Sequence, residues 1–166
     1  MMKRVTAVLF VLLVLVSAGS AGGFSSGSSS EELIMGTDIG AAEINDFYYT
    51  YSTSTNPPFF QRYRFYQKDG AYYFYHETRE GGGWPQTEED ITVSGTVEIT
   101  EEDWSVFFSL LIGGSVHAPA EDDETGSAGP WMYVYRENGQ EEFEFPSYEA
   151  RDAFEAYCEA LKDTAK

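Results

Sequence analysis

The chain has 166 residues, with 10 lysines and arginines against 28 aspartates and glutamates, for a formal charge of −18 at neutral pH. That length suits one domain, and an acidic excess of this size excludes a phosphate-tracking nucleic-acid binder or a protein held to anionic lipid by basic patches. With 16% aromatic residues, 12 of them Tyr and 12 Phe, the chain carries more bulky apolar material than a disordered acidic tail, so it is expected to fold.

The N-terminus has three adjacent pieces: basic Lys3 and Arg4, an apolar run from Val5 to Val16, then Ser17, Ala18, Gly19, Ser20 and Ala21. This is the layout of a secretory signal. The apolar run falls short of the roughly 20 residues that span a bilayer, so cleavage near Ala21 is expected, and a retained membrane segment is the alternative. Loss of Lys3 and Arg4 leaves eight basic residues against the same 28 acids, a charge of −20. Ala21 to Ser30 is built almost wholly from Gly and Ser, which is flexible-linker composition. The expected organisation is a signal over 1–21, a Gly/Ser-rich tether over 22–43 and a single domain over 44–166.

Within the domain, Asp46 to Ser52 reads as a Tyr-rich strand. Asp69-Gly70 favours a type I′ turn, in which both central residues need positive φ, and a two-residue loop sets the hairpin register. Tyr66 then faces Tyr73, Phe65 faces Phe74, Arg64 faces Tyr75, Tyr63 faces His76 and Arg62 faces Glu77. Alternation puts Tyr63, Phe65, Tyr72, Phe74 and His76 on one side as core. Arg62, Arg64, Tyr66, Tyr73, Tyr75 and Glu77 fall on the other, with an ion pair and a cation–π pair expected across the strands. Ile91, Val93, Val97 and Ile99 alternate with Thr, Ser and Glu in a further strand.

Thr100 is the expected N-cap of a helix whose Trp104, Phe107, Phe108 and Leu111 share one stripe, and Gly113-Gly114 stops it. Asn138-Gly139 predicts a second hairpin, pairing Arg136 with Glu141, Tyr135 with Glu142, Val134 with Phe143, Tyr133 with Glu144 and Met132 with Phe145. Met132, Val134, Phe143 and Phe145 face inward, leaving Trp131, Tyr133 and Tyr135 outward. A last helix starts near Ser147 and aligns Phe154, Tyr157, Cys158 and Leu161. The fold class is α+β: an antiparallel sheet of about five or six strands with two helices packed on one face.

A secretory segment and a Ser/Gly tether before one α+β domain resemble the small exported proteins and lipoproteins of bacteria. In lipoproteins a cysteine follows the small residues and receives the lipid; Ser20 stands there, and the single cysteine is Cys158. The resemblance implies an extracytoplasmic location, secreted or in the cell envelope, and supplies no catalytic residue. A lone cysteine forms no intrachain disulfide, and Cys158 reads as a buried small hydrophobe on its helix stripe.

Chemistry is sparse. His76 and His117 are the only histidines and no cysteine pair exists, so no metal site and no cofactor is expected. Glu121-Asp122-Asp123-Glu124 lacks the ligand spacing of a calcium loop, and Gly81-Gly82-Gly83 has no helix start behind it to cradle phosphate. The remaining lead is the sheet side away from the helices, where Arg64, Tyr66, Tyr73, Tyr75, Trp131, Tyr133 and Tyr135 emerge, open to solvent or covered by the loop from Glu80 to Asp90. The expected function is a non-enzymatic domain that binds a partner protein or an envelope glycan through this face. The alternative is a small secreted hydrolase of cell-wall or glycan material using paired carboxylates.

Overall fold

The computed structural model describes residues 31–119 and 129–164. The expected signal, the Gly/Ser run up to Ser30 and the acidic cluster Glu121 to Glu124 lie outside the described residues. Eight strands form one antiparallel sheet: β1 (Leu33–Ile34), β2 (Asp46–Thr53), β3 (Phe59–Lys68), β4 (Ala71–Glu80), β5 (Ile91–Ile99), β6 (Ser115–His117), β7 (Trp131–Arg136) and β8 (Gly139–Glu144). Two helices, α1 (Glu101–Leu111) and α2 (Tyr148–Thr164), complete the α+β fold. The spatial order is β1-β6-β8-β7-β2-β3-β4-β5, so β2 lies between the two hairpins.

The sheet has eight strands where five or six were expected. The additions are β1 and β6, two and three residues long, too short to show a period. They exist because partners hold them: Leu33 pairs with Val116, and Val116 with Phe143. The packed region therefore reaches back into the stretch assigned to the tether, where Met35 and Ile39 are buried.

The first hairpin has the expected register throughout, from Arg62 opposite Glu77 to Tyr66 opposite Tyr73, with Asp69 and Gly70 at φ of 54° and 81°. In the second, the register differs by two residues. Tyr133 faces Glu142, Val134 faces Glu141 and Arg136 faces Gly139, so Glu137 and Asn138 make the corner. Of the three, only Gly139 has positive φ, at 119°, whereas a type I′ turn needs positive φ at both central positions. A shift of two preserves the alternation of faces, so Val134 and Phe143 still point inward and are buried. The expected Arg136–Glu141 contact forms diagonally, with Arg136 Nε 2.6 Å from a Glu141 carboxylate oxygen.

Both helices pack on the inner side. Phe107 of α1 stacks on Phe65 with ring centroids 4.1 Å apart, and Phe154 of α2 reaches Phe47 at 5.6 Å and Phe145 at 5.3 Å. Each fully buried phenylalanine contributes about 1.5–3 kcal/mol, and five of them, Phe47, Phe65, Phe74, Phe107 and Phe154, converge here, which makes this cluster the main driving force of the fold. Thr100 caps α1 reciprocally: its hydroxyl accepts from the Asp103 N–H at 3.1 Å while the Asp103 carboxylate accepts from the Thr100 N–H at 3.0 Å. Gly114 sits where a Cβ would lie 2.5 Å from the Phe143 ring, so the chain leaves α1 through a gap only glycine fits. Cys158 is fully buried on the α2 stripe, and burial pushes its thiol pKa well up.

Candidate functional site

On the side away from the helices, β7, β2, β3 and β4 lie next to one another, and alternation sends one set of side chains outward. Following the registers across these strands gives three rows. The first runs Tyr135, Asp46, Tyr66, Tyr73; the second Tyr133, Tyr48, Arg64, Tyr75; the third Trp131, Thr50, Arg62, Glu77. Arg64, Tyr66, Tyr73, Tyr75, Trp131, Tyr133 and Tyr135 thus share one face, each half-buried.

The middle of this face is organised around Arg64. Its guanidinium makes hydrogen bonds to both Asp46 carboxylate oxygens, at 2.9 Å from Nε and 2.6 Å from Nη2. It also lies 4.8 Å from the Tyr48 ring centroid and 4.3 Å from that of Tyr66. The Asp46 hydrogen bonds raise the Arg64 pKa against the opposing effect of burial, so the charge is permanent. The expected cation–π partner across the hairpin was Tyr75; Asp46 on the opposite neighbour draws the guanidinium toward β2 instead. Tyr135 packs edge-on against Tyr48 at 5.4 Å, and Tyr66 stacks on Tyr73 at 5.2 Å. A continuous file, Tyr135, Tyr48, Arg64, Tyr66 and Tyr73, crosses all four strands.

A second cluster closes one end of the face. Glu77 is only 4% exposed, and its carboxylate accepts from Arg79 at 2.6 Å, lies 3.8 Å from Arg62 and accepts from the Tyr75 hydroxyl. Burial, with the Glu77 hydrogen bond adding to it, pushes the Tyr75 pKa up to about 12. The Arg79 guanidinium lies 4.2 Å from the Phe60 ring and donates to the Gln86 carbonyl at 3.3 Å. Gln86, from the loop between Glu80 and Asp90, is buried over this end, whereas Trp84 of the same loop is 53% exposed. The loop therefore covers the Glu77 end and leaves the tyrosine file open.

Sequence reasoning missed Tyr48 and Asp46 at the centre, and Glu77 and Arg79 as a buried pair. Alternation with Phe47 in β2 was signal enough for Tyr48. No sequence signal gives the position of β2 between the hairpins, and that position makes the file continuous.

The inner side holds a separate cleft of about 640 Å³ between the ends of β3, β4, β5 and α2. Its lining includes His76, Glu80, Glu159, Lys162 and Asp163. Glu159 accepts hydrogen bonds from the Tyr63 hydroxyl, from Gln61 at 2.9 Å and from Lys162 at 3.0 Å. Burial opposes its charge, but these donors outweigh that effect and lower the Glu159 pKa. His76 is 5% exposed, and its Nδ1 has no hydrogen-bond partner among the described residues. Burial lowers its pKa, the Lys162 ammonium adding to the effect and Glu159 opposing it.

Among the described residues no group of three or more His, Cys, Asp and Glu is placed to hold a metal ion, and no helix is long and apolar enough to cross a membrane. No protein-family model, curated protein or solved structure matches the chain.

Proposed function

We propose that the chain is an extracytoplasmic, non-enzymatic domain whose tyrosine face binds a partner protein. The observation that carries this reading is the continuity of the file from Tyr135 through Tyr48, Arg64 and Tyr66 to Tyr73 over four adjacent strands. Tyrosines in fixed positions offer amphipathic contact area at little entropic cost, and the Asp46 carboxylate holds the Arg64 guanidinium as a rigid polar group among them. Sugar rings stack on open aromatic faces. Here the rings are turned toward one another and toward Arg64, leaving edges and hydroxyls for a partner, which suits a protein surface better than an envelope glycan. The extracytoplasmic location is supported by Lys3-Arg4, the apolar run to Val16 and the small residues that follow.

The hydrolase alternative needs a carboxylic acid held protonated opposite a second carboxylate. Glu159, in the cleft with the carboxylates Glu80 and Asp163, is pushed the other way by its donors, which favours a structural role tying α2 to β3. The test of the binding reading replaces Tyr73, Tyr133 and Tyr135 together with Ser. The immobilised full chain is expected to retain an envelope protein that the triple variant loses, while the variant melts within a few degrees of the parent. Equal retention by both, or an unfolded variant, removes the proposal.

A further inference from the structure

The two edges of the sheet are built differently. On one side β1 is two residues long and closes on Asp38, whose carboxylate accepts from the Ile34 N–H at 3.0 Å. On the other, β5 runs nine residues with neither proline nor lysine, two of the devices by which proteins blunt an edge. Its outward backbone groups follow from the first hairpin. The two-residue turn makes Lys68 and Ala71 a hydrogen-bonded pair, so Tyr73, Tyr75 and Glu77 bond to β3, and Tyr72, Phe74 and His76 bond to Ile99, Val97 and Gly95. Ser94, Thr96 and Glu98 therefore aim their N–H and C=O groups at the open edge, and these make no backbone hydrogen bond to another element among the described residues.

Charge brackets this edge. Glu88-Glu89-Asp90 precedes β5 and Glu101-Glu102-Asp103 follows it, with Glu98 the one acid between. Asp90 and Asp103 are engaged with Thr87 and Thr100, while Glu88, Glu89, Glu101 and Glu102 are exposed. Nine extended residues separate the two acidic ends by about 30 Å. A second copy paired antiparallel about Gly95 would set Glu88 and Glu89 against Glu102 and Glu101, like charge on like. An extended segment with Lys or Arg at both ends meets opposite charge at both.

We propose that the open edge of β5 is a dock for an extended, basic-ended segment of a partner protein, which joins the sheet as an added strand. This uses backbone groups at the edge and not the tyrosine rings, so it stands independently of the tyrosine-face reading. The test titrates the full chain into two fluorescein-labelled peptides, one with Val and Thr alternating between Lys pairs and one with the same core between Glu pairs, and follows anisotropy. The Lys-ended peptide is expected to bind at least about tenfold more tightly, an advantage that shrinks as salt is raised. Thr96→Pro, which removes an edge donor without breaking a bond to β4, is expected to weaken binding about tenfold with an unchanged melting temperature. Tyr73→Ser is expected to leave it unaltered. Equal binding of the two peptides by the parent chain, unaltered binding by folded Thr96→Pro, or a dimer of the parent that Thr96→Pro dissociates would overturn the proposal.

Discussion

His76 shows how one buried side chain couples to pH. It packs against Phe74 in the sheet, faces Lys162 and Glu159 from α2, and lies against Gly95, where a Cβ would come within 2.8 Å of its Nε2. Its folded-state pKa lies below the ordinary value of 6.5, chiefly because burial disfavours the imidazolium. Between the folded and unfolded values the unfolded chain binds more protons, so stability rises with pH in that window. The contribution is complete above 6.5 and is lost as pH falls from there through the folded value. Urea denaturation is therefore expected to give a lower unfolding free energy at about pH 5.5 than at about pH 7.5, with the difference reduced in His76→Gln. An equal drop in that variant would assign the effect elsewhere. The sequence placed His76 on the core side; its cleft, its cation neighbour and its dependence on a glycine two strand positions from Val93 come from packing.

Local signals carried the elements far, and failed where two local solutions were available. Thr100 with Asp103 three residues on is a start signal, and both reciprocal hydrogen bonds form. Thr100→Ala is expected to cost about 1 kcal/mol, read as a lower denaturant midpoint at unchanged slope, because the Asp103 N–H loses its acceptor and the carboxylate its hydroxyl donor. An unchanged midpoint would mean that packing of Trp104 and Phe107 alone holds the helix start. Asp69-Gly70 gave a register that holds residue by residue. Asn138-Gly139 is compatible with two corners, and the one adopted uses Glu137-Asn138 with Gly139 taking the positive φ alone. Because the slip is by two, the inward set Val134 and Phe143 was legible and the cross-strand partners of Tyr133 and Tyr135 were not.

For the molecule as a whole, the charge of −18 reflects 28 aspartates and glutamates against only 10 lysines and arginines. The shortest ion pairs, Arg64 with Asp46, Arg79 with Glu77 and Arg136 with Glu141, leave most of the acids to repel one another. Raising salt from about 10 mM to about 150 mM shortens the screening length from about 30 Å to about 8 Å and is expected to raise the melting temperature. A fall would mean that the ion pairs outweigh the general repulsion. The same acidity bears on association: it works against self-pairing at β5 and favours partners that carry positive charge.

The sequence by itself determined what depends on neighbours in the chain: the first hairpin register, the inner and outer faces of both hairpins, the apolar stripes of two helices and the cap of the first. Only the tertiary structure decided the strand order, the two short strands held by Val116, the burial of Glu77 and Arg79 beneath Gln86, and the insertion of β2 that joins the tyrosines into one file. The physical reason is range. Turns, caps and periodicity are written in residues a few positions apart, whereas the pairing of Asp46 with Tyr135 on one side and Tyr66 on the other depends on surfaces that exist only once the strands have met.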